Sequence, residues 1–224
     1  MIGYSVKARK RQVSVEMVNK FKDIPVANIS DVMSRIVAGG PKLRPMHARG
    51  GLAGPAVTVK TRPGDNLMVH HAFNTAAPGD VIVVDAGGDL TNAIVGELML
   101  SYAKIKGLAG VIIHGAVRDY NWINTNEFPV FAGGVTHRGP YKDGPGEINL
   151  PIALDGMVVE PGDLIVGDDD GVLCIPFGQV DAVYKAAKAK NDAEQRSMEA
   201  VLKGTSDRSW VLEALKKGGC EFES

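Results

Sequence analysis

Four runs of apolar residues stand out because they lack the polar alternation of a strand with one exposed face. They cover residues 81–85, 110–117, 164–167 and 172–175. Uninterrupted apolar strands are typical of sheets that are covered on both faces. The pattern therefore predicts an α/β fold with sheets between helices and a parallel portion around 81–85 and 110–117.

The tripeptide Pro-Gly-Asp recurs at 63–65, 78–80 and 161–163. Proline presets φ and glycine takes the position that needs a positive φ, so each tripeptide predicts a turn. Two of these turns directly precede the apolar runs at 81–85 and 164–167. The turns therefore support the prediction that those two runs are strands.

Helical periodicity predicts helices near 13–22, 30–37, 66–75 and 97–106, and a long one at 177–203. The Ser30-Asp31 pair is expected to cap the second of these helices. The long helix is amphipathic, with apolar residues at Val180, Val183, Ala187 and Ala193. Lysines and acids lie between them, so this helix is expected to be peripheral.

Two segments between the predicted elements could carry function. Residues 131–151 are rich in glycine and proline and predict a long loop, and such loops in compact domains are often functional. The sequence Asp168-Asp169-Asp170-Gly171 resembles a metal-binding loop. Because it lies between two apolar runs, a hairpin turn is the simpler interpretation.

Composition narrows the class of protein. A formal net charge of -1 gives no electrostatic reason to expect nucleic acid as a partner. The basic run from Lys7 to Arg11 is interpreted as a solvated tail. Cys174 and Cys220 lie far apart, and no apolar stretch reaches membrane-spanning length. A soluble, cytoplasmic protein without a membrane partner is expected.

Signatures of common cofactors are missing from the sequence. No G-x-G-x-x-G follows a predicted strand, no P-loop is present, and no G-x-S-x-G elbow offers a serine nucleophile. Gly87-Gly88 indicates only a tight turn. Nucleotide and nicotinamide chemistry is therefore not expected.

The segment from Gly96 to Met99 has two interpretations. Glu97 begins an amphipathic run in which Leu98, Tyr102 and Ile105 share one face, so the helix is expected to start at Gly96-Glu97. Free amides at a helix start form an anion site that suits a carboxylate. In the simpler interpretation, Glu97 only complements the helix dipole.

Arg118 and Asp119 directly follow the apolar run at 110–117. Such a pair is commonly a surface ion pair or a helix cap. At the carboxyl end of a buried strand, however, it occupies the place where α/β sheets gather their ligands. Arginine binds a carboxylate through two hydrogen bonds, and one aspartate with several waters is a common Mg²⁺ site. The pair therefore predicts an anion clamp beside a metal ligand.

Other candidate residues carry weaker signals. His70 and His71 are adjacent on a predicted helix, so at most one of them can face a site. The sequence names no partner for His114 or His137. Cys174 lies inside an apolar run and is interpreted as a buried core residue.

Several of these motifs together resemble the RraA-like family. They are Gly96-Glu97-Leu98-Met99, Gly115-Ala116-Val117-Arg118-Asp119, and the Pro-Gly-Asp turns before 81–85 and 168–172. That family unites regulators of ribonuclease activity with metal-dependent aldolases acting on 4-hydroxy-4-methyl-2-oxoglutarate and 4-carboxy-4-hydroxy-2-oxoadipate. The resemblance covers about residues 25–200. An acid, twenty intervening residues and Arg-Asp form the aldolase pattern, with Glu97 as the first acid.

The resemblance implies roles for individual residues. Arg118 and the amides of Leu98 and Met99, after Gly96, would bind the 2-oxo acid substrate. Asp119 would ligate Mg²⁺ or Mn²⁺ directly, and Glu97 would act through water. His70 matches an active-site histidine. Glu194 of the C-terminal helix matches an acid that the family places in a neighbouring subunit's site, although Asp192 and Glu199 remain alternatives.

The architecture that the resemblance implies is a single α/β domain with layered sheets of α/β/β/α type. We expect a helical N-terminal segment at 1–24, a core at 25–176 and a C-terminal helical extension at 177–224. Trimers, or hexamers built from trimers, with sites between subunits are also implied.

The function predicted from residues and resemblance together is cleavage of a 4-hydroxy-2-oxo acid to pyruvate and a second oxo acid, with decarboxylation of oxaloacetate as a second activity. One alternative is a non-enzymatic regulator that binds a ribonuclease or helicase. A methyltransferase is a further alternative, against which the missing nucleotide-binding turn argues.

Overall fold

A computed structural model describes residues 3–36 and 39–222 of the protein. The strands are β1 (Tyr4–Val6), β2 (Arg44–Pro45), β3 (Leu52–Thr61), β4 (Val81–Asp85), β5 (Ala93–Val95), β6 (Gly110–Val117), β7 (Val130–Val135), β8 (Gly146–Ile148), β9 (Ile152–Leu154), β10 (Met157–Val159), β11 (Leu164–Asp168) and β12 (Gly171–Ile175). The helices are α1 (Val15–Phe21), α2 (Val26–Val32), α3 (Leu67–Thr75), α4 (Glu97–Ile105), α5 (Tyr120–Asn124), α6 (Val180–Leu202) and α7 (Ser209–Lys217).

The parallel portion of the sheet lies where the apolar runs predict it. β3, β4, β6 and β7 are neighbours and pair in parallel, with Asp85 of β4 opposite His114 of β6. β5 extends this layer beside the second half of β6. The carboxyl ends of these strands consequently meet at one edge, which is where the candidate residues lie.

β3 belongs to two sheets. Its first residues pair with β11, with Pro55 opposite Leu164, whereas its later residues pair with β4 and β8. β11 and β12 form an antiparallel hairpin whose turn is Asp169-Asp170, so the interpretation of this acidic segment as a hairpin turn is confirmed. The carboxylate of Asp168 has a protein partner in this hairpin, since its Oδ2 accepts a hydrogen bond from the amide of Val26 at 2.9 Å.

Three separate apolar clusters show that the fold has four layers. One lies between the parallel strands and α3 and α4, and includes Phe73 and Leu100. The second lies between the two sheets and includes Phe131 and Cys174, which is buried as predicted. The third joins β11 and β12 to α1, α2 and α6. The predicted α/β fold with layered sheets is confirmed.

The helix predictions hold at four places and fail at one. α1, α3, α4 and α6 lie within the predicted ranges, and Ser14 accepts a hydrogen bond from Met17 as the cap of α1. The prediction for 30–37 is wrong because α2 ends at Val32, so that Ser30 and Asp31 lie in its last turn and cannot cap its start. Residue 37 lies outside the described residues.

The prediction of one long loop at 131–151 is also wrong. β7 continues to Val135 and β8 begins at Gly146. The glycines that indicated a loop lie within these strands because neighbouring backbone approaches them closely: a Cβ on Gly133 would lie 3.2 Å from the carbonyl oxygen of Gly115. Only residues 136–145 connect the two strands, and we call them the cavity loop.

The basic N-terminal run is not a solvated tail. Arg9 binds Asp80 through two hydrogen bonds of 2.7 and 3.1 Å, and Arg11 pairs with Glu160. The charge pattern did not indicate this because each partner is distant in sequence. Just before this run, β1 pairs in parallel with β8, so the N-terminal segment lies against the sheet.

None of the helices in the described part of the chain is both long and apolar enough to cross a membrane.

Candidate active site

A cavity of about 270 Å³ lies at the carboxyl edge of the parallel strands. Gly96, Leu98 and Met99 line it from the start of α4, and Arg118 and Asp119 line it from the end of β6. The structure thus brings together residues that are about twenty positions apart in sequence. The predicted clustering of these two motifs agrees with the geometry.

Asp119 occupies a backbone conformation that few non-glycine residues adopt. Its φ is 58°, in the left-handed region, and it directly precedes α5. This conformation turns the carboxylate back toward α4, where Oδ2 accepts a hydrogen bond from the amide of Glu97 at 2.9 Å. Asp119 therefore also caps the first turn of α4.

Gly96 is required by the close approach of these two segments. Its φ of -151° is ordinary extended backbone, so the constraint is steric. A Cβ at this position would collide with Oδ2 of Asp119 and with Cγ of Arg118. A glycine therefore allows the arginine and the aspartate to lie against the helix start.

The next two amides of α4 are open. The amide of Leu100 bonds to the carbonyl of Gly96, whereas those of Leu98 and Met99 have no protein partner within the described residues. Two adjacent free N–H groups at the positive end of a helix favour an anion. The predicted carboxylate site is therefore compatible with the observed helix start.

Arg118 extends into the cavity beside this helix start. Its side chain is 42% exposed, and Nε lies 3.7 Å from Oδ2 of Asp119. The guanidinium passes under the cavity loop, since a Cβ on Gly139 would lie 3.1 Å from its Nη1. Because the ion pair with Asp119 is long, the guanidinium retains donors for a ligand.

His70 lines the cavity from α3, whereas the exposed His71 does not. The prediction that at most one of the two faces a site agrees with this placement. Burial lowers the pKa of His70, and the positive charge of Lys142 lowers it further. The imidazole is consequently neutral near neutral pH.

Neither Glu97 nor Glu194 is among the residues that line the cavity. Glu97 is exposed at the start of α4, next to the capping contact with Asp119. Glu194 lies on α6 and pairs with Lys190 at 2.7 Å, which also binds Asp31 at 3.0 Å. Glu194 does not line the cavity of its own chain, so its predicted role depends on a neighbouring subunit and stays a prediction.

Sequence reasoning missed two polar residues that line the cavity, Asn66 and Lys142. Asn66 is 2% exposed, and its Nδ2 donates to the carbonyl of Ile94 at 2.8 Å. Its Oδ1 has no partner among the described residues. The signal that could have indicated Asn66 is its position directly after a Pro-Gly-Asp turn, at the start of a helix.

His114, for which the sequence named no partner, lies beside Asp85. Its Nδ1 is 3.6 Å from Oδ1 of that carboxylate, and neither residue lines the cavity. Within the described residues, no three histidine, cysteine or acidic side chains converge as a metal-binding group.

The chain is similar in sequence to proteins of one known family. Residues 26–174 match the model of the RraA-like family, described as Aldolase/RraA. A protein of Halalkalibacterium halodurans named "Putative 4-hydroxy-4-methyl-2-oxoglutarate aldolase" is 40% identical over 190 residues, covering 85% of this chain and 90% of that protein.

Solved structures share this fold. A crystal structure of a protein from Pseudomonas syringae has a TM-score of 0.79 at 24% identity and covers 87% of this chain and 96% of that one. The RNA-processing inhibitor RraA from Thermus thermophilus has a TM-score of 0.64 at 30% identity, over 69% of this chain and 93% of its own. The chain belongs to the RraA-like family.

Proposed function

We propose that the protein is a divalent-metal-dependent aldolase that cleaves a 4-hydroxy-2-oxo dicarboxylic or tricarboxylic acid to pyruvate and a second oxo acid. The observation that carries the proposal is that Arg118, Asp119 and the open amides of Leu98 and Met99 line one cavity. The name of the Halalkalibacterium relative supports the same reaction class. Cleavage of such an acid by a lyase needs no nucleotide cofactor.

The residues at the helix start are suited to hold the pyruvyl end of the substrate. The free amides of Leu98 and Met99 would donate hydrogen bonds to its carboxylate, and the positive end of α4 favours that charge. Arg118 would donate to the same carboxylate and to the keto oxygen. Breaking the bond between C3 and C4 places negative charge on that oxygen, and donors that are already oriented stabilise such charge as it develops.

The acidic residues fit a hard divalent cation with a small protein ligand set. Oδ2 of Asp119 is used by the amide of Glu97, while its Oδ1 makes no hydrogen bond within the described residues and the side chain is 41% exposed. Mg²⁺ characteristically uses one or two carboxylates and fills its other positions with water and substrate oxygens. Asp119 would hold Mg²⁺ or Mn²⁺, with Glu97 alongside. Such an ion supplies Lewis-acid chemistry to a 2-oxo acid.

Removal of the proton from the 4-hydroxyl requires a base. His70 lines the cavity and its lowered pKa keeps the imidazole in the neutral form, which accepts a proton. Glu194 of a neighbouring subunit is the second candidate. Decarboxylation of oxaloacetate develops charge on the same keto oxygen, so we propose it as a second activity of the site.

The surface next to the cavity supports an oligomer. Leu98, Tyr102 and Ile105 share one face of α4, as the sequence predicts, but this face points outward and Leu98 and Ile105 are 85% and 88% exposed. Exposed apolar stripes of this kind mark protein interfaces. We therefore propose a homotrimer or homohexamer in which a neighbouring subunit covers α4 and closes the cavity.

The central experiment measures pyruvate release from a panel of 4-hydroxy-2-oxo acids and oxaloacetate. Turnover is expected with Mg²⁺ or Mn²⁺. It should be lost when EDTA removes the metal and should return when the metal is restored. The variant Asp119→Ala should be inactive under all conditions. Turnover that persists in EDTA, or in Asp119→Ala, would overturn the proposal.

A non-enzymatic regulator is the second candidate, and the likeness to the Thermus RNA-processing inhibitor favours it. The resemblance implies that pure regulators lack the acid after the arginine, whereas this chain has Asp119. A pull-down that recovers a ribonuclease or helicase, together with no lyase activity on the full panel, would favour regulation. Lyase activity without such a partner would exclude it.

A further inference from the structure

The three Pro-Gly-Asp turns each end in a buried aspartate. Asp65 is 0% exposed, Asp80 is 2% and Asp163 is 3%. Two of these aspartates hold the N-terminal segment, because Arg9 binds Asp80 at 2.7 Å and Arg11 lies 3.5 Å from Asp163. The same tripeptide thus repeats one design, a buried carboxylate that fixes a second piece of chain.

The buried carboxylate of Asp65 instead fixes two segments of chain at the candidate site. Its Oδ1 accepts a hydrogen bond from the amide of Leu67 at 3.0 Å. Its Oδ2 accepts from the amides of Asp143 and Gly144 at 2.8 and 2.9 Å. Arg62, 3.1 Å away, pairs with the same oxygen. One carboxylate therefore joins the first turn of α3 to the cavity loop.

Both joined pieces form walls of the cavity. α3 carries His70, and the cavity loop carries Lys142 directly before the amides that Asp65 binds. On the other side of Lys142, the amide of Tyr141 donates to Gly64 at 2.8 Å and its carbonyl accepts from Asn66 at 3.0 Å. The backbone of Lys142 is thus fixed on both sides.

Lys142 has the chemistry to recognise an additional acidic group. It makes no ion pair within the described part of the chain, and it lines the cavity on a different wall from the open amides of α4. Arg118 and those amides would bind the first carboxylate of a 2-oxo acid. A second cation across the same cavity favours a ligand with a second carboxylate.

We propose that Asp65 is a positioning residue that holds the cavity loop against α3 and so fixes Lys142, which selects 2-oxo acids with a carboxylate on C4. This inference rests on the proposed function and adds the determinant of substrate class. Asp65 itself is buried and does not touch the substrate.

The experiment compares Asp65→Asn with the matched variant Asp80→Asn. Both change a buried Pro-Gly-Asp carboxylate to the isosteric amide, but Asp80 precedes the amino end of β4, at the opposite edge from the cavity. An Asn side chain has one acceptor oxygen, so at least one loop or helix amide loses its partner at position 65. Lys142→Met removes the charge without altering the buried carboxylate.

Each variant is assayed with 4-hydroxy-4-methyl-2-oxoglutarate and with 4-hydroxy-2-oxopentanoate, which lacks the C4 carboxylate. The ratio of the two kcat/KM values should fall about 10-fold or more in Asp65→Asn and Lys142→Met, through KM, and should keep its wild-type value in Asp80→Asn. Equal losses on both substrates in Asp65→Asn, or the same ratio change in Asp80→Asn, would overturn the proposal. If Asp65→Asn does not fold, an unchanged ratio in Lys142→Met would overturn it.

A second readout separates this inference from the proposed function. If the wild-type protein cleaves neither substrate, the proposed function fails, but the position of Lys142 remains measurable through His70. Burial and the charge of Lys142 both lower the pKa of His70, so release of the cavity loop should raise it toward the ordinary value. An NMR titration, assigned with His70→Asn, should show this rise in Asp65→Asn and not in Asp80→Asn. An unmoved pKa in Asp65→Asn would contradict the positioning role.

Discussion

Asp119 caps the helix that Glu97 begins: its Oδ2 accepts a hydrogen bond from the amide of Glu97 at 2.9 Å. The two residues are 22 positions apart, and each is an acid of the predicted metal site. The contact means that the proposed metal ligand is also a structural residue. Its two roles can be separated by choice of substitution.

The variant Asp119→Asn keeps an oxygen that can accept from the amide of Glu97, whereas Asp119→Ala removes it. We therefore expect Asp119→Asn to retain wild-type stability and Asp119→Ala to lose about 1 kcal/mol, as for other helix caps. Aldolase activity should fall at least about 100-fold in both, because the carboxylate charge is gone. Urea unfolding and pyruvate release measure the two effects. Equal stability of the two variants would show that the cap contributes nothing.

Gly96→Ala tests the close approach of α4 and β6. The added methyl group would meet Asp119 and Arg118, and either they move or α4 shifts. Overpacking of this kind costs about 1–3 kcal/mol, and the displaced donors should lower kcat/KM by about 10-fold or more.

Gly178→Ala is the matched control, because a Cβ there would meet no atom within 4 Å. It should leave both stability and turnover close to those of the wild type. Wild-type activity in Gly96→Ala would mean that the positions of Arg118 and Asp119 tolerate movement.

Arg118→Lys preserves the positive charge and removes the planar donor pair. Lysine cannot bind a carboxylate and a keto oxygen with two fixed donors, so the Kd for pyruvate should rise about 10-fold to 100-fold in the presence of Mg²⁺. Calorimetry measures the change. Arg49→Lys, at an exposed ion pair with Glu127, should bind pyruvate like the wild type. Unchanged affinity in Arg118→Lys would remove Arg118 from the binding site.

Local sequence patterns predicted those parts of the fold that depend on neighbouring residues. The start of α4 follows from Gly96 and the periodicity after it, and β4 and β6 follow from uninterrupted apolar runs. The sequence also predicted correctly that Leu98 shares a face of α4 with Tyr102 and Ile105. That this face points to the outside depends on the sheet that packs against the opposite face of the helix. Periodicity identifies a face and does not say which side the core lies on.

Contacts between distant segments were not predictable. The left-handed backbone of Asp119, with φ of 58°, has no local signal such as a following glycine, and it is needed only because α4 lies beside it. In the same way, nothing near Asp65 indicates that its carboxylate binds the cavity loop 78 residues later. The candidate residues at the start of α4 and the end of β6 could be predicted from the sequence, whereas the wall formed by Lys142 could not. Asn66 had one signal, its position directly after a Pro-Gly-Asp turn.

The ion pair between Arg9 and Asp80 offers a test of the N-terminal segment. Asp80 is 2% exposed, so removing its partner leaves a buried carboxylate without its guanidinium. Arg9→Ala should therefore destabilise the protein by about 3 kcal/mol, while Lys10→Ala, at a residue without an ion pair in the described chain, should change stability little. Urea unfolding compares them. Similar small effects would restore the interpretation of this run as a solvated tail.

Asp65 predicts a specific dependence of stability on pH. Burial alone would raise its pKa, but the amides of Leu67, Asp143 and Gly144, together with the charge of Arg62, outweigh burial and lower the pKa below the ordinary value. The folded state consequently binds fewer protons at this group than the unfolded state does. The resulting stabilisation is fully present above the pKa that Asp65 has in the unfolded chain, about 4. It is lost as the pH falls through the lower pKa that Asp65 has in the folded protein.

Because Asp65→Asn cannot titrate at this position, the wild-type protein should exceed it in unfolding free energy by a constant amount between about pH 5 and pH 7. The difference should narrow below about pH 4, where Asp65 of the wild type begins to be protonated in the unfolded and then in the folded state. Urea unfolding of both proteins at intervals from pH 3 to pH 7 measures this difference, and the subtraction removes the contribution of all other carboxylates. A difference that stays constant or widens toward pH 3 would show that the carboxylate charge of Asp65 does not stabilise the fold.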